Sequence, residues 1–294
     1  MRLTNKWALP VPLARALASD NYSKGMADIS VTGLLQPPKI AILREQHGDE
    51  LEEDISNRLW SMFGTAIHNI IEQGAAGLEG YIPEQRLYAV VNGTMISGGI
   101  DLQEETDGGI VLVDWKTTST WAVMNGKKDW EYQLNLYAYL MWKNKNTRVV
   151  GLQIGALIKD WNKRLAMYTP GYPDKPVMMI DIPLWTIDEQ ESFVEALVEK
   201  HKNARDVYEI SGSLPDCTPE EMWESGGGWA VMKPGRKSAV KLFSSEEQAK
   251  IFINGDPDLY IETRPVSRMR CDSYCAASSV CEQHQQWLRN NPPK

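Results

Sequence analysis

Residues 98–118, GGIDLQEETDGGIVLVDWKTT, carry the pattern that decides the fold. The dipeptide Asp107-Gly108 lies between two strand-like runs, which predicts a β-hairpin. If these two residues form the loop, residue 106 pairs with residue 109, and the same register sets Asp101 opposite Asp114. Directly opposed like charges destabilise a sheet, so this pair of acids needs a compensating partner.

A divalent cation would be such a partner, because hard cations bind carboxylate oxygens. Lys116 is two residues beyond Asp114 and points to the same face of the strand. Two acids, a metal ion and an ammonium group suit phosphodiester hydrolysis. The alternative interpretation of Asp-x-Lys is a solvated salt bridge on an exposed strand. The apolar run 110–113 favours a buried strand, where acids seldom lack a partner.

The segment before this hairpin predicts a helix over residues 54–73. Apolar residues recur at every fourth position from Ile55 to Ile71, which indicates a buried stripe, and Gly74 stands at the expected C-terminal end. His68 precedes the acidic hairpin as a metal ligand from an adjoining helix would; an ordinary structural histidine is the alternative. Gly64, one turn earlier, could let the helix approach the sheet closely.

A second hairpin is predicted at Asn92-Gly93, between strand-like runs at 84–91 and 94–103. Glu84, at the start of the first run, is a candidate further acid of the site, with a solvated residue as the alternative. The aromatic-rich segment 129–143 predicts a helix on which Gln133 and Tyr137 share a face. Strands are then expected at 149–158, 165–168 and 177–182, followed by a helix from a capping box at 186–189.

The C-terminal region predicts a helix from Thr218, a hairpin over 229–243, a helix to about 253 and a last strand at 259–263. The hairpin concentrates positive charge at Lys233, Arg236, Lys237 and Lys241. This cluster is either a solvated surface or a contact to a DNA backbone.

Composition sets bounds on these interpretations. The chain has 294 residues, 43% of them hydrophobic, and a net charge of −8. Such a charge argues against non-specific coating of nucleic acid but allows a local basic groove. The sequence has no run long enough to span a bilayer and no signal-peptide pattern near its start, so we expect a cytoplasmic protein without a membrane partner. Four cysteines in such a chain suggest metal ligands or plain thiols.

Four motifs in order, Gly64-x3-His68, Asp101, Asp114-x-Lys116 and Gln133-x3-Tyr137, resemble the PD-(D/E)XK nucleases of the RecB type. That group includes AddAB nuclease domains, CRISPR-associated RecB-like exonucleases and phage exonucleases. The resemblance implies an α/β fold with a restriction-endonuclease-like core, in which helices flank a central mixed sheet, and a C-terminal region clamped by cysteines. The corresponding division is 1–53, 54–210 for the core, and 211–294.

The resemblance also implies roles for these residues. His68, Asp101 and Asp114 would bind Mg²⁺ or Mn²⁺, and the Trp115 carbonyl could add a ligand. Lys116 would orient or help to deprotonate the attacking water and stabilise charge on the phosphate. Gln133 and Tyr137 would help to place the DNA strand and the active-site groups.

The cysteine-bearing tail supplies the second part of the resemblance. Cys271-x3-Cys275-x5-Cys281 is similar to the C-terminal triplet of iron–sulfur members, although the first gap has three residues where two are expected. Pro37-Pro38 stand where those members carry an early cysteine, so Cys217 is the candidate for the fourth ligand. Four thiolates suit a [4Fe–4S] cluster and equally suit zinc, and the resemblance favours the cluster.

The expected function is metal-dependent exonucleolytic hydrolysis of DNA in phage-type recombination or repair. A single-strand annealing protein is the expected partner by resemblance, and the host cytoplasm the expected location if a phage encodes the chain. A structure-specific or restriction-like endonuclease is one alternative. A DNA-binding module that has lost activity on the same fold is another.

Overall fold

The computed structural model describes residues 1–19, 23–145 and 147–291. The chain forms two compact units, Met1–Ala41 with Glu52–Leu214, and Ile42–Leu51 with Pro215–Lys294. The division into 1–53, 54–210 and 211–294 remains a prediction. Among the described residues, no helix is both long and apolar enough to cross a membrane.

The helices before residue 215 are α1 (Val11–Ala18), α2 (Val31–Leu34), α3 (Pro38–Gln46), α4 (Leu59–Ala75), α5 (Thr120–Asn125), α6 (Lys128–Lys145), α7 (Lys163–Tyr168) and α8 (Ile187–Ser211). The strands are β1 (Arg2–Thr4), β2 (Ile29–Ser30), β3 (Glu52–Asp54), β4 (Tyr81–Val91), β5 (Thr94–Thr106), β6 (Gly109–Thr118), β7 (Val149–Ile158) and β8 (Val177–Ile182). A 3₁₀ turn, Ile55–Arg58, leads into α4.

A mixed sheet with strand order β2-β5-β6-β7-β8 forms the centre of the first unit, and β4 pairs with β5. The β2–β5 and β6–β7 pairs are parallel and the others antiparallel. The main hydrophobic core lies between one sheet face and α6, with α8 packed against it; on the other face, Ala75 of α4 contacts Leu102 and Val113. The predicted fold class, a central mixed sheet flanked by helices, is therefore confirmed.

Both predicted hairpins form with the expected register. Thr106 pairs with Gly109, and Val91 pairs with Thr94. On its edge away from β4, strand β5 pairs with β2 at residues 96 and 97, and with β6 from Leu102 onwards. Residues 98–101 lie between these two stretches, and Asp101 is the last of them.

Gly98 lets α6 pack directly on this part of β5. A Cβ atom at residue 98 would stand 2.7 Å from Tyr137 Cε1 and 2.8 Å from Leu140 Cδ1, both closer than van der Waals contact. At Gly99 the nearest atom would be 3.7 Å away, an ordinary contact. The difference follows from the alternation of side chains between sheet faces.

We therefore expect Gly98→Ala to lower the free energy of unfolding by about 1–3 kcal/mol, the usual cost of overpacking a core. Urea unfolding followed by tryptophan fluorescence measures the change. Gly99→Ala is the matched control and should unfold close to the wild-type midpoint. Equal midpoints for the two variants would contradict the packing argument.

Helix α4 differs from its predicted form in three ways. Its regular α-helix begins at Leu59, after the 3₁₀ turn, and ends at Ala75, whereas the prediction ran from residue 54 to residue 73. The expected buried stripe is open near the start of the helix, where Leu59 is 41% exposed and Phe63 44% exposed, and half-buried further on, at Ile67 and Ile71. A Cβ atom on Gly64 would meet nothing within 4 Å, so the predicted close approach of this glycine to the sheet is wrong as well.

Two short segments also differ from prediction. The expected strand at 165–168 is helical, because the Asn162 side chain accepts hydrogen bonds from the Arg164 and Leu165 amides and caps α7. The expected helix from Thr218 is only a turn. Thr218 and Glu221 make the reciprocal capping contacts, but the chain enters a strand at Glu224.

The second unit contains β9 (Glu224–Ser225), β10 (Gly228–Met232), β11 (Lys241–Phe243), α9 (Glu246–Ile253), β12 (Tyr260–Arg264), β13 (Ser267–Arg268) and α10 (Glu282–Asn290). A small sheet has the order β11-β10-β12, and α9 packs on it. A π-helical turn, Arg270–Tyr274, and a 3₁₀ turn, Ser278–Val280, form the segment that carries the cysteine triplet.

Candidate active site

Glu84, Asp101 and Asp114 lie side by side on the neighbouring strands β4, β5 and β6. The β5–β6 pairing is regular as far as Leu102–Val113, and Asp101 and Asp114 come immediately after this last pair. The pairing of β4 with β5 is interrupted at Glu84 and Asp101, two residues that its register would place opposite each other. Glu84 has a positive φ of 43°, a conformation that non-glycine residues rarely adopt. The sheet is therefore irregular where the acids meet.

His68 joins this cluster from α4. One ligand atom each from His68, Glu84 and Asp101 lies within 4.8 Å of the others. The imidazole Nδ1 is 3.4 Å from Asp101 Oδ2, and its Nε2 donates a hydrogen bond of 2.8 Å to the Trp115 carbonyl. The Trp115 amide in turn donates to Asp101 Oδ2 at 2.7 Å. These contacts bring together helix α4 and strands β4, β5 and β6.

The charges of this cluster are poorly balanced without a cation. The hydrogen bond to Asp101 raises the pKa of the His68 imidazole. Glu84 is an exposed residue, yet desolvation of its carboxyl group and the negative charges of Asp101 and Glu72 raise its pKa. An imidazole with converging carboxylates is a donor set that fits Mg²⁺ or Mn²⁺. The cluster therefore fits a divalent metal ion.

Asp114 is buried and stands beside this group of three. Its Oδ2 atom is 2.7 Å from Lys116 Nζ, an ion pair without hydrogen-bond geometry. Burial raises the pKa of the Asp114 carboxyl, the charge of Lys116 opposes that shift, and Asp101 adds to it. The predicted acid–acid–lysine set is thus close together, and the role of Asp114 as a metal ligand remains a prediction.

Gln133 and Tyr137 are buried and hydrogen-bonded to each other, and Gln133 also contacts Asp114. Gln133 Nε2 donates to Asp114 Oδ1 at 2.9 Å and to Tyr137 Oη at 2.7 Å. Of the two roles expected for this pair, the geometry favours placing an active-site group. Direct contact of either residue with DNA remains a prediction.

The sequence of residues 77–282 matches the family description "PD-(D/E)XK nuclease superfamily". The chain belongs to the PD-(D/E)XK nuclease superfamily. The match covers more than half of the chain and includes Glu84, Asp101, Asp114 and Lys116. His68 lies before its first residue.

Further comparisons add little to this assignment. The crystal structure of SSO0001 is similar over 69% of this chain and 85% of that one, with 16% identity and a TM-score of 0.43. A "Putative exonuclease" from Eubacterium rectale covers 68% of this chain and 79% of its own, with 11% identity and a TM-score of 0.29. Both TM-scores are too low to carry an argument. Among curated proteins, no significant match is found.

Glu84 is exposed, as the solvated interpretation expects, yet its carboxylate also lies within 4.8 Å of the His68 and Asp101 ligand atoms of this PD-(D/E)XK site. The signal was present in the second hairpin: if Asn92-Gly93 form its loop, the register sets residue 84 opposite residue 101.

The four cysteines lie in the second unit. Desolvation and the proximity of Cys275 and Cys281 raise the pKa of the Cys271 thiol to about 11. The Cys217 amide donates to Gln283 Oε1, and its carbonyl accepts from Gln283 Nε2, each at 2.9 Å. Gln283 is two residues after Cys281, so the backbone at 217 is joined to the end of the triplet. His284, three residues after Cys281, is buried.

The basic residues Lys233, Arg236, Lys237 and Lys241 are all exposed. Lys241 Nζ lies 5.2 Å from the centre of the Phe243 ring and 5.3 Å from that of Phe252. Lys233 and Arg236 are joined by a backbone hydrogen bond across the turn. A role of this surface in binding DNA remains a prediction.

Proposed function

We propose that the chain is a Mg²⁺- or Mn²⁺-dependent deoxyribonuclease that hydrolyses phosphodiester bonds from DNA ends. One observation carries the proposal: ligand atoms of His68, Glu84 and Asp101 converge beside the buried Asp114–Lys116 pair. This combination places a cation site next to an ammonium group, which suits the charge that develops on a phosphate.

The residues at the site have separate roles in this proposal. His68, Glu84 and Asp101 would hold the ion, with Asp114 as a further ligand. When bound, the ion would neutralise charge on the phosphate and make water a better nucleophile at neutral pH. The hydrogen bonds from Trp115 and Gln133 keep Asp101 and Asp114 oriented.

Lys116 supplies a positive side chain that accompanies Asp114. Its ammonium is held 2.7 Å from that carboxylate, so its position is set before substrate binds. From there it stabilises negative charge on the phosphate oxygens, or exchanges a proton with the attacking water. Burial of Asp114 strengthens this pair relative to one on the surface.

Digestion of linear duplex DNA labelled at either end, compared with closed circular DNA, tests the proposal. With Mn²⁺ we expect labelled nucleotides to be released from linear DNA and circular DNA to persist. Cleavage of the circle would favour a restriction-like or structure-specific endonuclease instead. Binding without hydrolysis of either substrate would favour an inactive DNA-binding module. Chelation with EDTA should stop every cleavage reaction.

We also propose that Cys217, Cys271, Cys275 and Cys281 bind a structural [4Fe–4S] cluster, with zinc as the alternative. Burial and the neighbouring Cys275 and Cys281 raise the pKa of the Cys271 thiol, and the hydrogen bonds of Gln283 join residue 217 to the end of the triplet. A metal centre would stabilise thiolates in this setting. Such a centre would join residue 217 to the tail.

We expect protein purified without oxygen to be brown, absorb near 400 nm, and contain about four iron atoms per chain. Cys281→Ser should lose this absorption and unfold at a lower temperature. Colourless protein with one zinc ion per chain would show that the four cysteines bind zinc instead of the cluster. Absence of both metals would exclude the site.

A role in phage-type recombination with a single-strand annealing protein extends the same proposal and rests on the resemblance alone. The exposed basic surface at 233–241 would contact the DNA backbone. Charge reversal at Lys233 and Lys237 should then lower affinity and reduce its salt dependence.

A further inference from the structure

Trp60, in the first turn of α4, forms an exposed aromatic surface with a cation on it. The residue is 57% exposed. Lys159 Nζ lies 3.9 Å from the centre of its ring, and the Phe63 ring meets it edge-on at 6.3 Å. A cation at this distance holds an indole ring in place. Trp60 is therefore a positioned ring with much of its surface open to solvent.

This ring adjoins the candidate active site on two sides. Trp60, Gly64 and His68 follow one another at four-residue intervals along α4, so they share one side of the helix, and Trp60 is about 12 Å from His68 along the axis. A Cβ on Gly64 would meet no described heavy atom within 4 Å, so the helix surface at this residue, between the other two, is open. Lys159 donates its amide hydrogen to the Thr118 carbonyl, two residues beyond Lys116 on β6.

The exposed ring calls for a reason. Aromatic side chains stabilise a fold most when they are buried. Helix α4 instead exposes Leu59, Trp60 and Phe63 near His68, a candidate metal ligand. Apolar surface beside a catalytic site marks a binding surface. A nucleic-acid strand can make two contacts with this surface. Its phosphates are attracted to Lys159, and its flat bases can stack on the indole.

We propose that Trp60, held by Lys159, stacks on an unpaired base a few nucleotides from the scissile phosphate. The favoured substrate is then a single strand or a frayed end, because bases within a duplex already stack on their neighbours. This inference rests on the proposed nuclease function, since it names the substrate of the same site. Gly64 keeps the path from the ring to His68 free for the strand.

An abasic scan tests the proposal without depending on cleavage. A set of single-stranded oligonucleotides, each lacking one base, is bound to the full chain with Ca²⁺ in place of Mg²⁺. For the wild type we expect affinity to fall about tenfold when one particular base is missing, the value of one stacked base. In Trp60→Leu this position-specific loss should vanish, and in Trp60→Phe, which keeps a ring, most of it should remain.

The controls separate stacking from folding. Trp142→Leu, at another exposed tryptophan, should keep the wild-type scan. If Trp60→Leu does not fold, Lys159→Met provides the test and should reduce the position-specific loss. An unchanged loss in folded Trp60→Leu or Lys159→Met, or no position-specific loss in the wild type, would overturn the proposal. If the wild type shows the position-specific loss of affinity but does not hydrolyse DNA in Mn²⁺, the nuclease function is refuted and the stacking by Trp60 is not.

Discussion

Lys116→Met is expected to lower the rate of DNA hydrolysis by about 10²- to 10³-fold, the usual effect of removing one charge-stabilising donor. The methionine keeps the length of the side chain but removes the ammonium group 2.7 Å from Asp114. Both the charge beside the phosphate and the counter-charge of a buried carboxylate are then lost. Single-turnover cleavage of end-labelled DNA in Mn²⁺ measures the rate.

DNA affinity should change little in this variant, because Lys116 acts at one phosphate only. Lys175→Met removes an exposed lysine of the same unit and should retain wild-type activity. Full activity of purified Lys116→Met would refute the assignment of the site. A parallel loss of binding and of folded structure would show instead that the ion pair is structural.

Glu84→Gln is expected to weaken Mn²⁺ binding by about 10- to 100-fold while leaving the fold intact. The glutamine keeps the shape of the side chain but removes a carboxylate that lies within 4.8 Å of the His68 and Asp101 ligand atoms. Magnitudes of this order accompany the loss of groups that support a metal site. Calorimetric titration with Mn²⁺ measures the affinity, and activity should recover in part at high Mn²⁺.

Glu72→Gln is the matched control. Glu72 is on α4, one turn beyond His68, and is exposed; its charge acts on Glu84, but it is not among the three grouped ligand residues. Its variant should bind Mn²⁺ almost as the wild type does. If Glu84→Gln retains wild-type affinity while Asp101→Asn loses it, Glu84 is a bystander of the metal site.

The predictions that held depend on local rules. A two-residue turn sets the register of its hairpin, so Asp107-Gly108 determined which residues of β5 and β6 face each other. The capping box at Thr186 likewise identified the start of α8. These features involve residues close in sequence, and their geometry follows from backbone chemistry.

Predictions that required knowledge of packing fared less well. The apolar spacing of α4 indicated a buried stripe, but periodicity does not say whether another element covers that stripe. Here Leu59 and Phe63 remain exposed. The segment 165–168 had strand-like residues, yet a cap at Asn162 made it helical. The first outcome depends on which distant element covers the helix, and the second on a side-chain cap that outweighs the strand-like pattern.

The sequence by itself determined the registers of the two hairpins. These registers set residues 84, 101 and 114 side by side on adjacent strands. Only the tertiary structure decided that His68 reaches these acids, that Gln133 links Asp114 to Tyr137, and that Trp60 stays on the surface. The physical reason is that register follows from hydrogen bonding between adjacent strands. The meeting of helix and sheet side chains depends instead on how distant segments pack.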